Sequence, residues 1–158
     1  MKGAPPGPRA CDDRAVEQGF TRASLVPDSP ERFVRLRHEL GISTFGINQI
    51  AMGPGQRGRI HRHAAQEELY LVWSGTLTLR IEDEEIDVGA GELVRVAPGL
   101  RRQLINRGPD RVVVVALGGA GEHEGRDGEA FASWDQERGA PPQEVPAPAD
   151  LDPSELRA

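Results

Sequence analysis

The central part of the chain, residues 42–117, is a series of short apolar stretches separated by turns rich in Gly and Pro. The clearest stretch, residues 76–81, reads TLTLRI and alternates Leu77, Leu79 and Ile81 with polar side chains, which is the period of a strand. Turn clusters such as GPGQRG, EDEE and RGPD follow one another closely. About eight short strands at this spacing predict an all-β fold, an antiparallel sandwich or barrel.

The two ends of the chain differ from this central region in composition. Residues 1–28 are rich in Pro, Gly and charged residues without periodicity, and we expect an irregular segment. Residues 29–118 are expected to form a helix and the barrel, and residues 119–138, which contain the apolar patch AFASW, to dock on it. Residues 139–158 are acidic and Pro-rich, which predicts a disordered tail.

One short helix is predicted ahead of the first strand, in the stretch SPERFVRLRHELG. Ser29 suits the N-cap and Pro30 suits the first helical position. Apolar side chains then recur on one face as far as Leu40, and Gly41 suits the position just after the helix. The expected length is about three turns.

The formal net charge of −6 is distributed unevenly. Residues 1–118 hold 16 basic and 15 acidic residues, whereas residues 119–158 hold 3 and 10. The barrel region therefore lacks the basic surface that binding a phosphate backbone needs, and no apolar run is long enough to span a membrane. No apolar segment follows Lys2, and Cys11 is the only cysteine, which is compatible with a reducing compartment. We expect a cytoplasmic protein that binds neither nucleic acid nor membranes.

Potential metal ligands cluster in residues 60–75, IHRHAAQEELYLVWSG. Alternation along a strand puts His61 and His63 on the same face. Their imidazole nitrogens can converge on one ion at about 2.0–2.2 Å, and a carboxylate from the next strand, Glu67 or Glu68, can supply a third ligand. Two histidines and one carboxylate suit Fe(II), Mn(II), Ni(II) or Zn(II).

The spacing G-x5-H-x-H-x4-E-x6-G, which begins at Gly55 and ends at Gly75, resembles the first motif of the cupin family. The resemblance covers roughly residues 41–118. It implies a small antiparallel jelly-roll β-barrel with the site inside, and a homodimer. It also implies that Glu68, not Glu67, is the third metal ligand and that Gly75 lies in the turn after the strand.

The second motif of the family, G-x5-P-x-G-x2-H-x3-N, is present only in part. The stretch from Gly91 to Asn106 keeps the glycine, the proline and the asparagine, but its first gap is one residue longer and it has no histidine. Counting back from Asn106 places Arg102 at the histidine position, whereas counting forward from Pro98 places Gln103 there. A shift of one residue reverses the strand face. We favour Arg102, because the strand segment has no room for a bulge, and Gln103 stays the alternative.

An arginine at this position changes the chemistry, because a guanidinium cannot bind a metal. About 5 Å from a divalent ion, at an effective dielectric of about 20, it would be repelled by roughly 7 kcal/mol. Arg102 could turn toward the barrel mouth, pair with Glu68 in place of a metal, or share an anionic substrate with the metal. Gln103 could instead offer an amide oxygen to the ion. Tyr70 shares a strand face with Glu68 and is a third candidate for substrate contact. His123, in a loop rich in Gly and Glu, is a remote candidate for a fourth ligand.

Seven arginines lie around the two motifs, at positions 57, 59, 62, 95, 101, 102 and 107. They indicate either a solvated basic rim or a mouth that attracts a small carboxylate or phosphate.

Three functions fit this sequence, since the fold does not fix a reaction. The first is a metal-dependent enzyme of the oxygenase, isomerase or decarboxylase type, in which His61, His63 and Glu68 hold the ion and Arg102 neutralises the substrate. The second is a non-catalytic barrel that binds a small anion. The third is a barrel with a degenerate, metal-free site in which Arg102 pairs with Glu68. We rank the enzyme first and the binding protein second.

Overall fold

The computed structural model describes residues 19–119 and 127–158. Within these residues ten strands form two five-stranded antiparallel sheets, so the predicted all-β fold is confirmed. The strands, in chain order, are β1 Phe33–Val34, β2 Gly46–Met52, β3 Ile60–His63, β4 Glu67–Ser74, β5 Thr76–Ile81, β6 Glu84–Gly89, β7 Leu93–Val96, β8 Arg102–Ile105, β9 Val112–Gly119 and β10 Gly128–Phe131. None of the helices in the described residues is long and apolar enough to cross a membrane. His123 lies outside the described residues, as do residues 1–18 of the predicted irregular segment.

The two sheets pack face to face with strand orders β1-β2-β9-β4-β7 and β10-β3-β8-β5-β6. Alternate residues of the strands point inward and form a buried core of Met52, Tyr70, Val72, Leu77, Leu79, Val88, Val96, Leu104, Val112, Val114 and Ala116. Burying each large apolar side chain stabilises the fold by about 1.5–3 kcal/mol. The inward rows continue beyond the apolar core as polar residues: Glu68 precedes Tyr70 on β4, and Arg102 precedes Leu104 on β8. The core therefore ends where a polar cluster begins.

Gly75 forms the turn between β4 and β5, as the sequence predicts. Its φ of 76° is in the left-handed region. A Cβ at this position would also lie 2.6 Å from the carbonyl oxygen of Arg111, so the turn accepts no side chain.

The N-terminal helix is shorter than predicted. Helix α1 covers only Leu36–Leu40, because Phe33–Val34 form strand β1 and pair with β2. Ser29 does not cap this helix, and its Oγ accepts a hydrogen bond from the backbone N–H of Glu31 at 3.1 Å. Gly41, with φ 67°, does end the helix. The backbone groups of β2 need hydrogen-bond partners. Pairing of Phe33 and Val34 with β2 therefore outweighs the helix propensity of the residues around them.

Residues 127–158 form a C-terminal extension that adds strand β10 to the second sheet. β10 pairs antiparallel with β3, and Gly128 lies opposite His63. The backbones of Ala130 and Ala140 exchange two hydrogen bonds of 2.8 and 2.9 Å, and Phe131 is buried. The extension thus lies directly beside the strand that carries the two histidines.

Residues 139–158 follow a defined path along the barrel, which differs from the predicted disorder. Val145 and Leu151 are buried. Arg57 and Arg59 donate to main-chain carbonyls of the tail at 2.8 and 2.7 Å. Composition does not reveal these hydrogen bonds, because the accepting carbonyl oxygens belong to the backbone and every residue carries one.

The arginines around the two motifs each have an acceptor within the described residues. Those on the surface pair with acidic side chains or hold the tail, so they serve contacts within the chain and not an open basic mouth. They are Arg57, Arg59, Arg62, Arg95, Arg101, Arg102 and Arg107.

Candidate metal centre

His61, His63 and Glu68 meet at the polar end of the barrel interior. The two histidines project from β3 of one sheet, and Glu68 faces them from β4 of the other. Glu68 Oε2 lies 3.5 Å from Nε2 of His61 and 3.6 Å from Nε2 of His63. The three candidate ligand atoms all lie within 4.8 Å of one another. The spacing and the strand period predicted this grouping.

The second nitrogen of each imidazole faces an acceptor. Nδ1 of His61 lies 3.1 Å from the carbonyl oxygen of Arg59, and Nδ1 of His63 lies 2.8 Å from Oδ1 of Asp127. A carbonyl or a carboxylate only accepts, so a neutral imidazole carries its proton on Nδ1 here. Both histidines then direct the lone pair of Nε2 toward Glu68.

Three acceptors that face one another repel unless a metal ion or a proton on an imidazole lies between them. Two donor atoms that each bind an ion at about 2.0–2.2 Å lie at most about 4.4 Å apart, and both N···O distances to Glu68 are below that limit. The residues present therefore fit a divalent ion of the first transition row.

Glu68 also receives hydrogen bonds from two buried side chains. Tyr70 Oη donates to Oε2 at 2.5 Å, and Arg102 Nη2 donates to the same atom at 2.9 Å. A carboxylate offers about four lone-pair sites, two on each oxygen, so these two bonds leave the sites of Oε1 for an ion. Glu67 lies on the opposite face of β4, exposed and paired with Arg95, as expected for a rim residue.

Arg102, not Gln103, faces the barrel interior. Its side chain is 0% exposed, and Nη1 also donates to the carbonyl of Leu100 at 2.9 Å. Gln103 lies on the other side of β8, where its amide donates to the carbonyl of Gly58 at 2.9 Å. The structure thus brings Arg102 and Tyr70 to the candidate ligands and places Gln103 away from them.

Asp127 is a component of the cluster that the sequence patterns do not reveal. Besides its contact with His63, its Oδ2 accepts hydrogen bonds from the backbone N–H groups of Ala65 and Gln66 at 3.1 and 2.8 Å. Asp127 is separated from His63 by 64 positions in the sequence. Only the pairing of β10 with β3 brings the two together, and no motif spacing signals that pairing.

Three side chains in the cluster have pKa values shifted from their usual ranges. Burial alone would raise the pKa of Glu68, but the facing imidazoles and Arg102 outweigh it and hold this pKa well below its usual range. Burial alone would lower the pKa of His63, yet Glu68 and Asp127 raise it. Burial and the Glu68 charge raise the pKa of Tyr70 well above its usual value, so its hydroxyl stays protonated. The cluster favours positive charge beside Glu68.

The cluster is partly accessible from outside. The side chains of His61, His63 and Glu68 are 24%, 17% and 13% exposed. Two recesses elsewhere, of about 400 and 100 Å³, lie around Trp134 and Gln103 and are not lined by these three residues. A small molecule would therefore reach the cluster at the exposed atoms of these three side chains.

Comparison with known proteins finds similarity in the part of the chain that contains His61, His63 and Glu68. The family model described as "Cupin domain" matches residues 48–118. The tetracenomycin polyketide synthase protein TcmJ of Streptomyces glaucescens is 30% identical over 97 residues, which cover 60% of this chain. The aligned part spans 58% of that relative, less than two thirds of its length.

Solved structures share the fold. A cupin protein from Bacteroides fragilis has a TM-score of 0.58 and 23% identity, over 67% of this chain and 89% of that one. A sugar phosphate isomerase of a cupin superfamily from Silicibacter pomeroyi has a TM-score of 0.58 and 22% identity, over 78% of this chain and 90% of that one. At these identities the likeness concerns the fold alone.

Proposed function

We propose that this chain, whose residues 48–118 match the cupin domain, is a divalent-metal protein of the cupin family that binds or converts a small anionic molecule. His61, His63 and Glu68 would hold the ion. One observation carries the proposal: both imidazoles have an acceptor at Nδ1, so both direct Nε2 toward the carboxylate of Glu68.

The charge of the cluster supports an anionic ligand. A divalent ion together with Arg102, Glu68 and Asp127 leaves a net charge of about +1 in a largely buried environment. Arg102 is fully buried and bonded to Glu68, so its influence on a ligand is electrostatic and not direct contact. A carboxylate or a phosphate group on the ligand would neutralise the excess charge.

The bound ion would act as a Lewis acid toward an oxygen of the ligand. Arg102 helps to keep Glu68 ionised, and the hydrogen bonds of Tyr70 and Arg102 fix the position of Oε2. The apolar core behind Tyr70 excludes water from the inner side of the cluster. These roles suit an oxygenase, an isomerase or a decarboxylase, and small carboxylates and sugar phosphates are the first ligands to screen.

A second candidate function rests on the pair of Arg102 and Glu68. Their 2.9 Å contact inside the barrel satisfies the carboxylate without any metal. The barrel would then be a non-catalytic binding protein or a structural barrel with a degenerate site. Metal content separates this candidate from the first.

The deciding experiment is metal binding by the wild-type protein. We expect the chain, stripped with EDTA and titrated separately with Fe(II) under anaerobic conditions, Mn(II), Ni(II) and Zn(II), to bind about one equivalent of at least one of them. Calorimetry gives the stoichiometry, and elemental analysis after desalting confirms it. If none of the four metals is retained, the metal-free candidate takes its place.

We also propose that the chain forms a homodimer through the outer face of the first sheet. Trp73 and Leu93 are 57% and 58% exposed there and flank Leu71, which leaves an apolar patch open to solvent. We expect sedimentation equilibrium to give twice the chain mass for the wild type and the monomer mass for Leu93→Glu. Ile86→Glu, at a 41% exposed position on strand β6 of the other sheet, is the control and should stay dimeric. A monomeric wild type would contradict the proposal.

We place the protein in the cytoplasm, a proposal supported by its single cysteine, Cys11. Fractionation of the cells that produce it tests this, and recovery outside the cytoplasm would contradict it.

A further inference from the structure

We propose that Asp127 is a positioning residue of the metal centre, supplied by the C-terminal extension. The inference rests on the proposed function, since it assigns a partner to one of the three metal ligands. Asp127 lies beyond residues 48–118, which match the family. The extension would thus be part of the site and not merely a covering of the barrel.

The contacts of Asp127 hold its carboxylate in a fixed place. Oδ1 accepts from His63 at 2.8 Å, and Oδ2 accepts from the backbone N–H groups of Ala65 and Gln66 in the turn between β3 and β4. Its side chain is only 10% exposed. This one carboxylate therefore joins the end of β3 to the turn that leads into β4.

The strand pairing brings Asp127 to His63. The backbone N–H of Ala64 donates to the carbonyl of Asp127 at 3.2 Å, and Gly128 follows directly opposite His63. A Cβ at Gly128 would lie 3.4 Å from Cε1 of the imidazole, an ordinary contact distance, so the ring lies directly beside the backbone of β10. The register of β10 against β3 thus places the carboxylate of Asp127 beside this ring.

The chemical consequence is a defined tautomer. A carboxylate at Nδ1 holds the proton there, leaves Nε2 free to bind an ion and increases its basicity, and loss of such a partner typically weakens metal binding 10–100-fold. His61 differs, because its Nδ1 faces the main-chain carbonyl of Arg59, which no side-chain substitution removes. His63 is therefore the ligand whose orientation depends on a replaceable side chain.

The test compares Asp127→Asn and Asp127→Ala with Glu129→Gln. An asparagine has one acceptor oxygen where Asp127 serves three donors, so it cannot satisfy both His63 and the turn. Glu129 belongs to the same extension and pairs with Arg62 on the outside, which makes it the matched control. We expect a 10–100-fold loss of affinity for the metal that the wild type binds in both Asp127 variants, and no change in the control.

A second readout separates positioning from a merely structural role. In metal-free protein, 15N–1H correlations of the imidazole rings report the tautomer of His63, assigned by the signals missing in His63→Gln. At a pH high enough to keep the imidazole neutral, we expect the Nδ1–H tautomer in the wild type and in Glu129→Gln, and a mixture in Asp127→Asn. Wild-type affinity together with an unchanged tautomer in Asp127→Asn would overturn the proposal.

The tautomer also makes the two proposals distinguishable. If the wild type binds none of the four metals, the proposed function fails, and a tautomer that depends on Asp127 still establishes that Asp127 orients His63. If metal binds and the tautomer does not depend on Asp127, only the inference fails.

Discussion

Replacing Glu68 with alanine is expected to lower the free energy of unfolding of the metal-free protein by about 3–5 kcal/mol. The reason is Arg102, which is 0% exposed and would keep its charge inside the barrel without an acidic partner. Urea unfolding in the presence of EDTA measures the effect. The same variant should also lose metal binding, since a ligand is removed.

Glu67→Ala is the matched control, because Glu67 is the neighbouring residue on the opposite strand face. Its pair with Arg95 is on the surface, with both side chains more than half exposed, and such pairs contribute about 0–1 kcal/mol. Equal unfolding midpoints for Glu68→Ala and the wild type would mean that Arg102 does not depend on Glu68, and the buried ion pair would lose its assigned role.

Replacing His61 with alanine is expected to weaken metal binding more than about 100-fold. This loss exceeds the roughly 10–100-fold loss expected when a ligand stays but its hydrogen-bond partner is removed, as in the Asp127 variants. A hundredfold loss corresponds to about 2.7 kcal/mol of binding free energy. Within residues 19–119 and 127–158, His61 supplies one of three candidate ligand atoms, and two remaining ligands hold an ion poorly. Competition with a chelator of known affinity measures the loss.

His38→Ala provides the control for this measurement. His38 is exposed on helix α1, away from the cluster, so its removal tests whether any surface histidine contributes. Binding that survives in His61→Ala would place the ion elsewhere and contradict the proposed ligand set.

The candidate ligands were predictable because local rules govern them. The period of a strand puts His61 and His63 on one face, and the spacing to Glu68 is set by a short turn. The choice of Arg102 over Gln103 was also local, since it depended on counting back from Asn106 along a strand segment with no room for a bulge. Such features need only a few neighbouring residues to be specified.

The features that the sequence did not predict depend on distant pairing. Strand β1 forms because β2 offers it partners, in competition with a plausible helix signal. Asp127 reaches His63 only because β10 joins β3. The tail was expected to be disordered because its composition is polar, yet composition says nothing about carbonyl acceptors.

The way the tail is held has a consequence for how its sequence can vary. Arg57 and Arg59 recognise carbonyl oxygens, which belong to the backbone and stay in place whichever side chain is attached. The tail can therefore accept many substitutions between its two buried residues, Val145 and Leu151, while an insertion or deletion would shift every carbonyl past its arginine. Its length and path are the constrained properties, and the identity of most of its residues is not.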